Sequence, residues 1–159
     1  IDVLVNNAGG GVRIADTAIL TREEIDQTIA LNLNSTVYGS SIFGGVMKEQ
    51  GDGMIINLSS VCARHCWAEW SVYAAAKAGV LNFTKGLYTE LAPFGVRATC
   101  IIPAAASTGF QKGAQIGEVE QSLTVEDIAN AVYYAASQPK GAVVEEMTVW
   151  GTTQLVQPL

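Results

Sequence analysis

Short runs of nearly unbroken apolar residues, closing on small polar ones, constrain this chain more than any other feature. IDVLVNNA (1–8), MIINLSS (54–60) and the stretch from Val96 to Ile102 lack the alternation of a half-exposed strand. Such runs suit parallel strands buried on both faces. VVEEMTVW (143–150), after the Pro139–Gly141 turn, predicts a last strand. Helical signals fill the gaps. Thr21-Arg-Glu-Glu24 is a capping box, and Ile25, Ile29, Leu33 and Val37 continue it at fourfold spacing. Gly39, Gly44 and Gly45 either let that helix pack closely or mark its end. A second helix starts near Ser71, carries Val72, Ala76, Val80, Phe83, Leu87 and Leu91 as an apolar stripe, and closes at Pro93 and Gly95. A third opens on the box Thr124-Val-Glu-Asp127, with Ile128, Val132 and Ala135 facing inward. Residues 104–122 have little periodicity and several glycines, which predicts a mobile loop. With no repeat, low-complexity segment or linker, residues 1–159 read as one α/β domain.

The chain is 49% hydrophobic and 15% charged, a composition that buries a core. Its formal charge of −6, without a lysine or arginine cluster, argues against nucleic acid and anionic membranes as partners. No apolar run reaches the ~18 residues of a membrane span, and no signal peptide opens the chain, so a cytoplasmic location is expected. Cys62, Cys66 and Cys100 lack framework spacing and read as reduced thiols. Cys62, His65 and Cys66 suggest a zinc cluster but lack the paired spacing of a structural site, so no metal is expected. The chain begins at Ile1, inside a strand, and further sequence is expected before it.

The chemistry concentrates between Ser59 and Lys77. Tyr73 and Lys77 stand four apart, so on a helix they share a face, with Cβ atoms roughly 5–6 Å apart. A fixed ammonium beside a phenol favours the phenolate. Bringing a phenol from its usual pKa of about 10 to near 7 takes on the order of 4 kcal/mol, which one close charge in a partly buried site can largely supply. Such a tyrosine exchanges protons with an alcohol or carbonyl oxygen at neutral pH. Ser60, thirteen positions earlier, is placed to hold the same oxygen.

VLVNNAGG (3–10), LNLNSTVYGS (31–40), GMIINLSSV (53–61), YAAAKAGVLNFTKGL (73–87), LAPFGVRATCIIP (91–103) and STGF (107–110) follow one another in order. Their succession resembles the classical short-chain dehydrogenase/reductase family from its fourth strand to its end. The resemblance implies a Rossmann-like, doubly wound parallel sheet, incomplete because the N-terminal βαβαβ half is absent from the chain. It implies an oxidoreductase that moves a hydride between NADP or NAD and a small secondary alcohol or its carbonyl. Tyr73 would be the acid/base and Lys77 its tuner and a ribose ligand; Ser60 would orient the oxygen, and Asn32 would keep a water linking Lys77 to solvent. Asn7, Ala8 and Gly9 match the family's NNAG motif beside the cofactor, with Pro103 and Thr108 near the nicotinamide. The tail VEEMTVWGTTQ resembles the subgroup acting on 3-hydroxy acids, and the family's habits imply a homodimer or homotetramer.

Two departures stand out. Pro103 is followed by Ala104 where the family usually has glycine, which matters only if that position needs positive φ. No Gly-rich strand–turn–helix for a pyrophosphate occurs in the chain, and GGGV at 9–12 is no substitute. The competing reading is therefore a catalytically silent fragment lacking the dinucleotide phosphate site, to be decided by an in-frame TGxxxGxG upstream.

Overall fold

A computed structural model describes residues 1–116 and 123–154. Residues 117–122 of the expected loop fall outside these. Four strands, β1 (Val3–Asn6), β2 (Gly53–Leu58), β3 (Val96–Pro103) and β4 (Glu146–Val149), form one sheet in the order β1-β2-β3-β4. Every pairing is parallel, with Val3 opposite Met54, Gly53 opposite Val96 and Cys100 opposite Glu146. The connections are helical: α1 (Arg22–Ile29) and α2 (Ser35–Gln50) lead into β2, α3 (Ser71–Leu91) into β3, and α4 (Phe110–Ala114) and α5 (Val125–Ala136) into β4.

The residues explain the layers. Ile55, Val96 and Ala98 meet Met47 of α2 and Leu87 and Leu91 of α3 on one face. Met54, Ile56, Leu58 and Ile101 meet Ala131 and Ala135 of α5 on the other. Helices thus cover both faces of an α/β sheet, as the unbroken runs of β2 and β3 require. All of β2 is buried. β1 differs from the expectation. Val3 and Val5 are 43% and 40% exposed, because they share a face with Met54 and Ile56 beyond the reach of α5, while only Leu4 packs beneath α2 and α3.

Both capping boxes form, with Thr21 Oγ1 accepting from Glu24 N and Thr124 Oγ1 from Asp127 N. Between α1 and α2 the chain adds a π-helical turn, Ala30–Asn34. The expected apolar row Ile25, Ile29, Leu33, Val37 is only half-buried. The buried row is the adjacent one: Thr28, Asn32, Thr36, Ser40, then Gly44. Small and hydrogen-bonding side chains face inward because α2 lies close to the sheet: a Cβ on Gly39 would come within 2.5 Å of Asn6 Oδ1.

Candidate active site

The site lies at the carboxyl ends of the strands, where open α/β sheets bind ligands. β1 ends in Asn7-Ala8-Gly9, β2 in Ser59-Ser60 and β3 at Pro103. The strand ends are tied together by side-chain amides, that of Asn57 buried and that of Asn6 half-buried. Asn6 Nδ2 donates to Asn57 Oδ1 at 2.8 Å and to Ser40 Oγ at 3.0 Å, and Asn57 Nδ2 donates to Thr84 Oγ1 at 3.0 Å. This chain joins β1, β2, α2 and α3 just below the site, and a buried network with every member paired fixes geometry. Sequence reading passed over it; the signal was an asparagine at the same register position of two neighbouring strands.

Asn32 is wholly buried. Its Oδ1 accepts from Gly10 N at 3.0 Å, and its Nδ2 donates to Gly10 O at 2.8 Å and to Thr28 O at 3.0 Å. The π-helical turn, a device frequent at functional sites, aims it there. Gly9 packs closely here: a Cβ would sit 3.0 Å from Asn32 Oδ1 and 3.2 Å from Lys77 Nζ, so those side chains would have to give way slightly.

Lys77, on α3, is 5% exposed. Its Nζ donates to the Leu58 carbonyl at 3.0 Å, while Ser59 Oγ donates to the Lys77 carbonyl at 2.8 Å, so strand end and helix clasp each other. Burial disfavours its charge and pulls the ammonium's pKa down to about 8. Tyr73 lies one turn before, with Nζ of Lys77 5.7 Å from its ring centroid. The Tyr73 hydroxyl does not follow the expected direction. Burial pushes it well above the ordinary phenol value, Cys62 adds to the rise, and the Ser60 hydroxyl draws it back only in part. The reason is aromatic cover: Trp70 and Phe110 stack at 6.0 Å, and each meets the Tyr73 ring edge-on, at 5.7 and 5.4 Å. Phe110 belongs to α4, which lies within the segment read as a loop.

A cavity of about 600 Å³ opens beside Tyr73 and Ser60, and Pro103 and Thr108 also line it. Ser60 is only half-buried; its Oγ accepts from Cys62 N at 3.2 Å, and its hydroxyl borders the cavity beside that of Tyr73. Thr108 Oγ1 accepts from Phe110 N at 3.2 Å and so steadies the start of α4. Asn32, Lys77 and Gly9 stand together behind this wall, and Asn7, Ala8 and Gly9 are exposed at the end of β1. Ala104 meets no strain, since among the described residues only Glu69 and Gln115 combine a side chain with positive φ. Cys62 and Cys100 are buried and Cys66 exposed, and among the described residues no three acidic, histidine or cysteine side chains converge. Nor is any described helix long and apolar enough to cross a membrane.

The chain belongs to the short chain dehydrogenase family, whose model matches residues 1–118. An uncharacterized oxidoreductase of Staphylococcus aureus strain N315 is 34% identical over 151 residues, 94% of this chain and 64% of that protein. The chain thus spans somewhat less than two thirds of the curated relatives it matches. Among solved structures, the closed form of a serine dehydrogenase complexed with NADP+ superposes with a TM-score of 0.92 at 29% identity, over 100% of this chain and 68% of that one. An alcohol dehydrogenase from the archaeon Thermococcus sibiricus complexed with 5-hydroxy-NADP gives 0.86 at 26% identity, over 99% and 66%. The parallel sheet flanked by helices is the family's Rossmann-like fold in part.

Proposed function

We propose that this chain carries the proton-handling half of an NADP- or NAD-dependent oxidoreductase that interconverts a secondary alcohol and its carbonyl. One observation carries the reading: Ser60 and Tyr73 flank one cavity at the carboxyl end of the sheet, with Lys77 one helical turn behind Tyr73. A nicotinamide, when bound, supplies or accepts the hydride at the substrate carbon. The residues present fit its ribose end, because the close space at Gly9 is flanked by the Lys77 ammonium and the Asn32 amide. Asn7, Ala8 and Lys77 would hold that end, with Pro103 and Thr108 on the opposite side of the cavity.

The proton is the protein's task. A buried Tyr73 stays protonated at neutral pH and donates from Oη to a carbonyl oxygen as negative charge develops there. Ser60 Oγ donates a second hydrogen bond to the same oxygen and stabilises the charge before the proton arrives. This arrangement favours carbonyl reduction at neutral pH. Asn32 holds the Gly10 backbone and thereby the floor behind Lys77. NADP is favoured over NAD by the ligands of the serine dehydrogenase and alcohol dehydrogenase structures.

Self-association is supported by α2 and the turn before it. Leu31, Tyr38, Ile42 and Val46 are 38%, 64%, 64% and 41% exposed, at spacings of seven, four and four, which is one apolar stripe. Light scattering on the full-length protein should give a dimer or tetramer; a monomer overturns that part.

The test of the catalytic reading is Tyr73→Phe in the full-length enzyme. Its ring keeps the contacts with Trp70 and Phe110, so the fold should persist while turnover falls by a hundredfold or more, the scale of a lost general acid. Retention of more than about a tenth of wild-type turnover removes Tyr73 from the reaction.

A further inference from the structure

Among the described residues, the cavity beside the reacting hydroxyls is lined by aromatic and uncharged side chains. Trp67, Trp70, Phe110 and Trp150 line the cavity together with the Tyr73 ring, and these include every tryptophan in the chain. The polar side chains among the lining residues, such as Thr108, Gln111, Thr153 and Gln154, are all neutral. The cations lie elsewhere and are occupied. Arg13 pairs with Glu24, Arg64 and Lys85 with Glu146, Lys140 with Asp52 and Arg22 with Asp26. Lys48 lies over Phe94, Arg97 donates to the Gln138 carbonyl, and Lys77 is held by Leu58. Lys77 lies behind Tyr73 and Lys112 stands on α4 beside Gln111, exposed; neither lines the cavity. Residues 117–122 and 155–159 contain no lysine or arginine. A carboxylate in this cavity would meet neutral hydrogen-bond donors but no lysine or arginine among the described lining residues, and a desolvated charge without a counter-charge is costly.

We infer that the substrate is a neutral ketone or secondary alcohol bearing an aromatic or bulky apolar group, and not a 3-hydroxy acid. This rests on the oxidoreductase reading and narrows its substrate. The apolar group lies among the Trp67, Trp70 and Trp150 rings, and the carbonyl points to Ser60 and Tyr73. The 3-hydroxy acid suggested by the tail finds no lysine or arginine among the described lining residues, and a pocket that must strip a charge discriminates against it.

The test uses the full-length enzyme with NADPH and a pair of compounds differing by one carboxylate, 4-phenylbutan-2-one and 4-(3-oxobutyl)benzoate. Binding is read from tryptophan fluorescence excited at about 295 nm, since all three tryptophans line the cavity. Turnover is read from NADPH consumption. The neutral ketone should quench the fluorescence and give a kcat/KM about tenfold or more above its carboxylate partner. Gln111→Arg, which puts a cation on the wall, should narrow that ratio, and Lys112→Ala should leave it unchanged. Equal or better binding or turnover of the carboxylate overturns the inference, as does absence of quenching by both. Selective quenching by the neutral ketone without NADPH consumption upholds the cavity's preference and removes the oxidoreductase reading instead. Should Gln111→Arg fail to fold by circular dichroism, the wild-type pair decides alone.

Discussion

Asn32 and Gly10 exchange two hydrogen bonds through one side-chain amide, Gly10 N to Oδ1 at 3.0 Å and Nδ2 to Gly10 O at 2.8 Å. Both backbone groups of Gly10 are thus satisfied by a buried side chain some twenty residues on. The π-helical turn makes this possible by adding a residue to the connection between α1 and α2. The loop after β1 is held in a fixed shape that a flexible glycine run would not hold by itself.

Asn32→Ala should therefore act twice. Leaving the Gly10 amide and carbonyl unpaired costs on the order of 1–3 kcal/mol each where water is excluded. Urea unfolding of the full-length protein should show a loss of at least about 1 kcal/mol, and NADPH binding should weaken in parallel. A variant with unchanged stability would show that water replaces the amide without loss. Asn32→Asp should do no better than alanine, because a carboxylate oxygen then faces the Gly10 and Thr28 carbonyls that Nδ2 satisfies.

Spacing, capping chemistry and the burial of β2 and of the α3 stripe were legible in the residues; the inward face of α1 and α2 was not. The boxes at Thr21 and Thr124, the strands β2 and β3, and the Tyr73–Lys77 helix follow from local patterns that the structure repeats. Fourfold spacing picked out Ile25, Ile29, Leu33 and Val37 as the apolar row of this helix. The sheet instead takes Thr28, Asn32, Thr36 and Ser40, because close approach and hydrogen bonding outweigh apolar area on that face. On α5 the expected inward set holds: Ala135 is fully buried and Ile128 and Val132 pack against the same cluster, which Ala131 joins. The direction of the Tyr73 shift was illegible for another reason. Phe110, which covers its ring, comes from a five-residue helix too short to show a period.

Lys77 should leave a signature in stability against pH. Its folded pKa of about 8 lies below the 10.5 of an exposed lysine, so below pH 8 the protein carries the full cost of a buried charge. Between pH 8 and 10.5 the unfolded chain binds more protons than the folded one, and this group's contribution rises with pH. The direction opposes that of Cys62 and Cys100, whose raised pKa values lose stability in alkali. Comparison with Lys77→Met isolates the lysine. Any stability advantage of the variant should be largest near pH 7 and shrink by up to about 3 kcal/mol by pH 10.5. A pH-independent difference in urea denaturation would mean that Lys77 titrates as if exposed.

β1 should behave as an adhesive edge in a polypeptide of these 159 residues. It pairs with β2 alone, and Val3 and Val5 are bare on the face that α5 does not reach. Unpaired amides beside exposed valines template pairing with other chains, and Asp2 is the only charge nearby. Sedimentation should show self-association at micromolar concentration, relieved by Val3→Lys. A monodisperse monomer with rapid amide exchange at Val3 to Val5 would refute this.

Gly11 couples the loop after β1 to the cover over Tyr73, and its substitution should be felt at a distance. A Cβ there would come within 2.2 Å of Ala114 Cβ and 2.5 Å of its Cα. Backbone cannot yield as a flexible side chain does, so α4 must shift. Ile14 N also donates to Ala114 O at 3.1 Å, and Ala114 is fully buried, so little slack exists to absorb the move. Phe110 lies one turn earlier on the same helix and carries the shift to its contacts with Trp70 and Tyr73. Gly11→Ala should therefore expose the Tyr73 ring, red-shift the tryptophan emission and lower kcat/KM, with global stability falling by about 1–3 kcal/mol, the range for overpacking. Because exposure lessens the burial that holds the Tyr73 hydroxyl up, the alkaline limb of the pH–rate profile should move to lower pH. An unchanged emission spectrum and pH profile would show that the loop and α4 move independently.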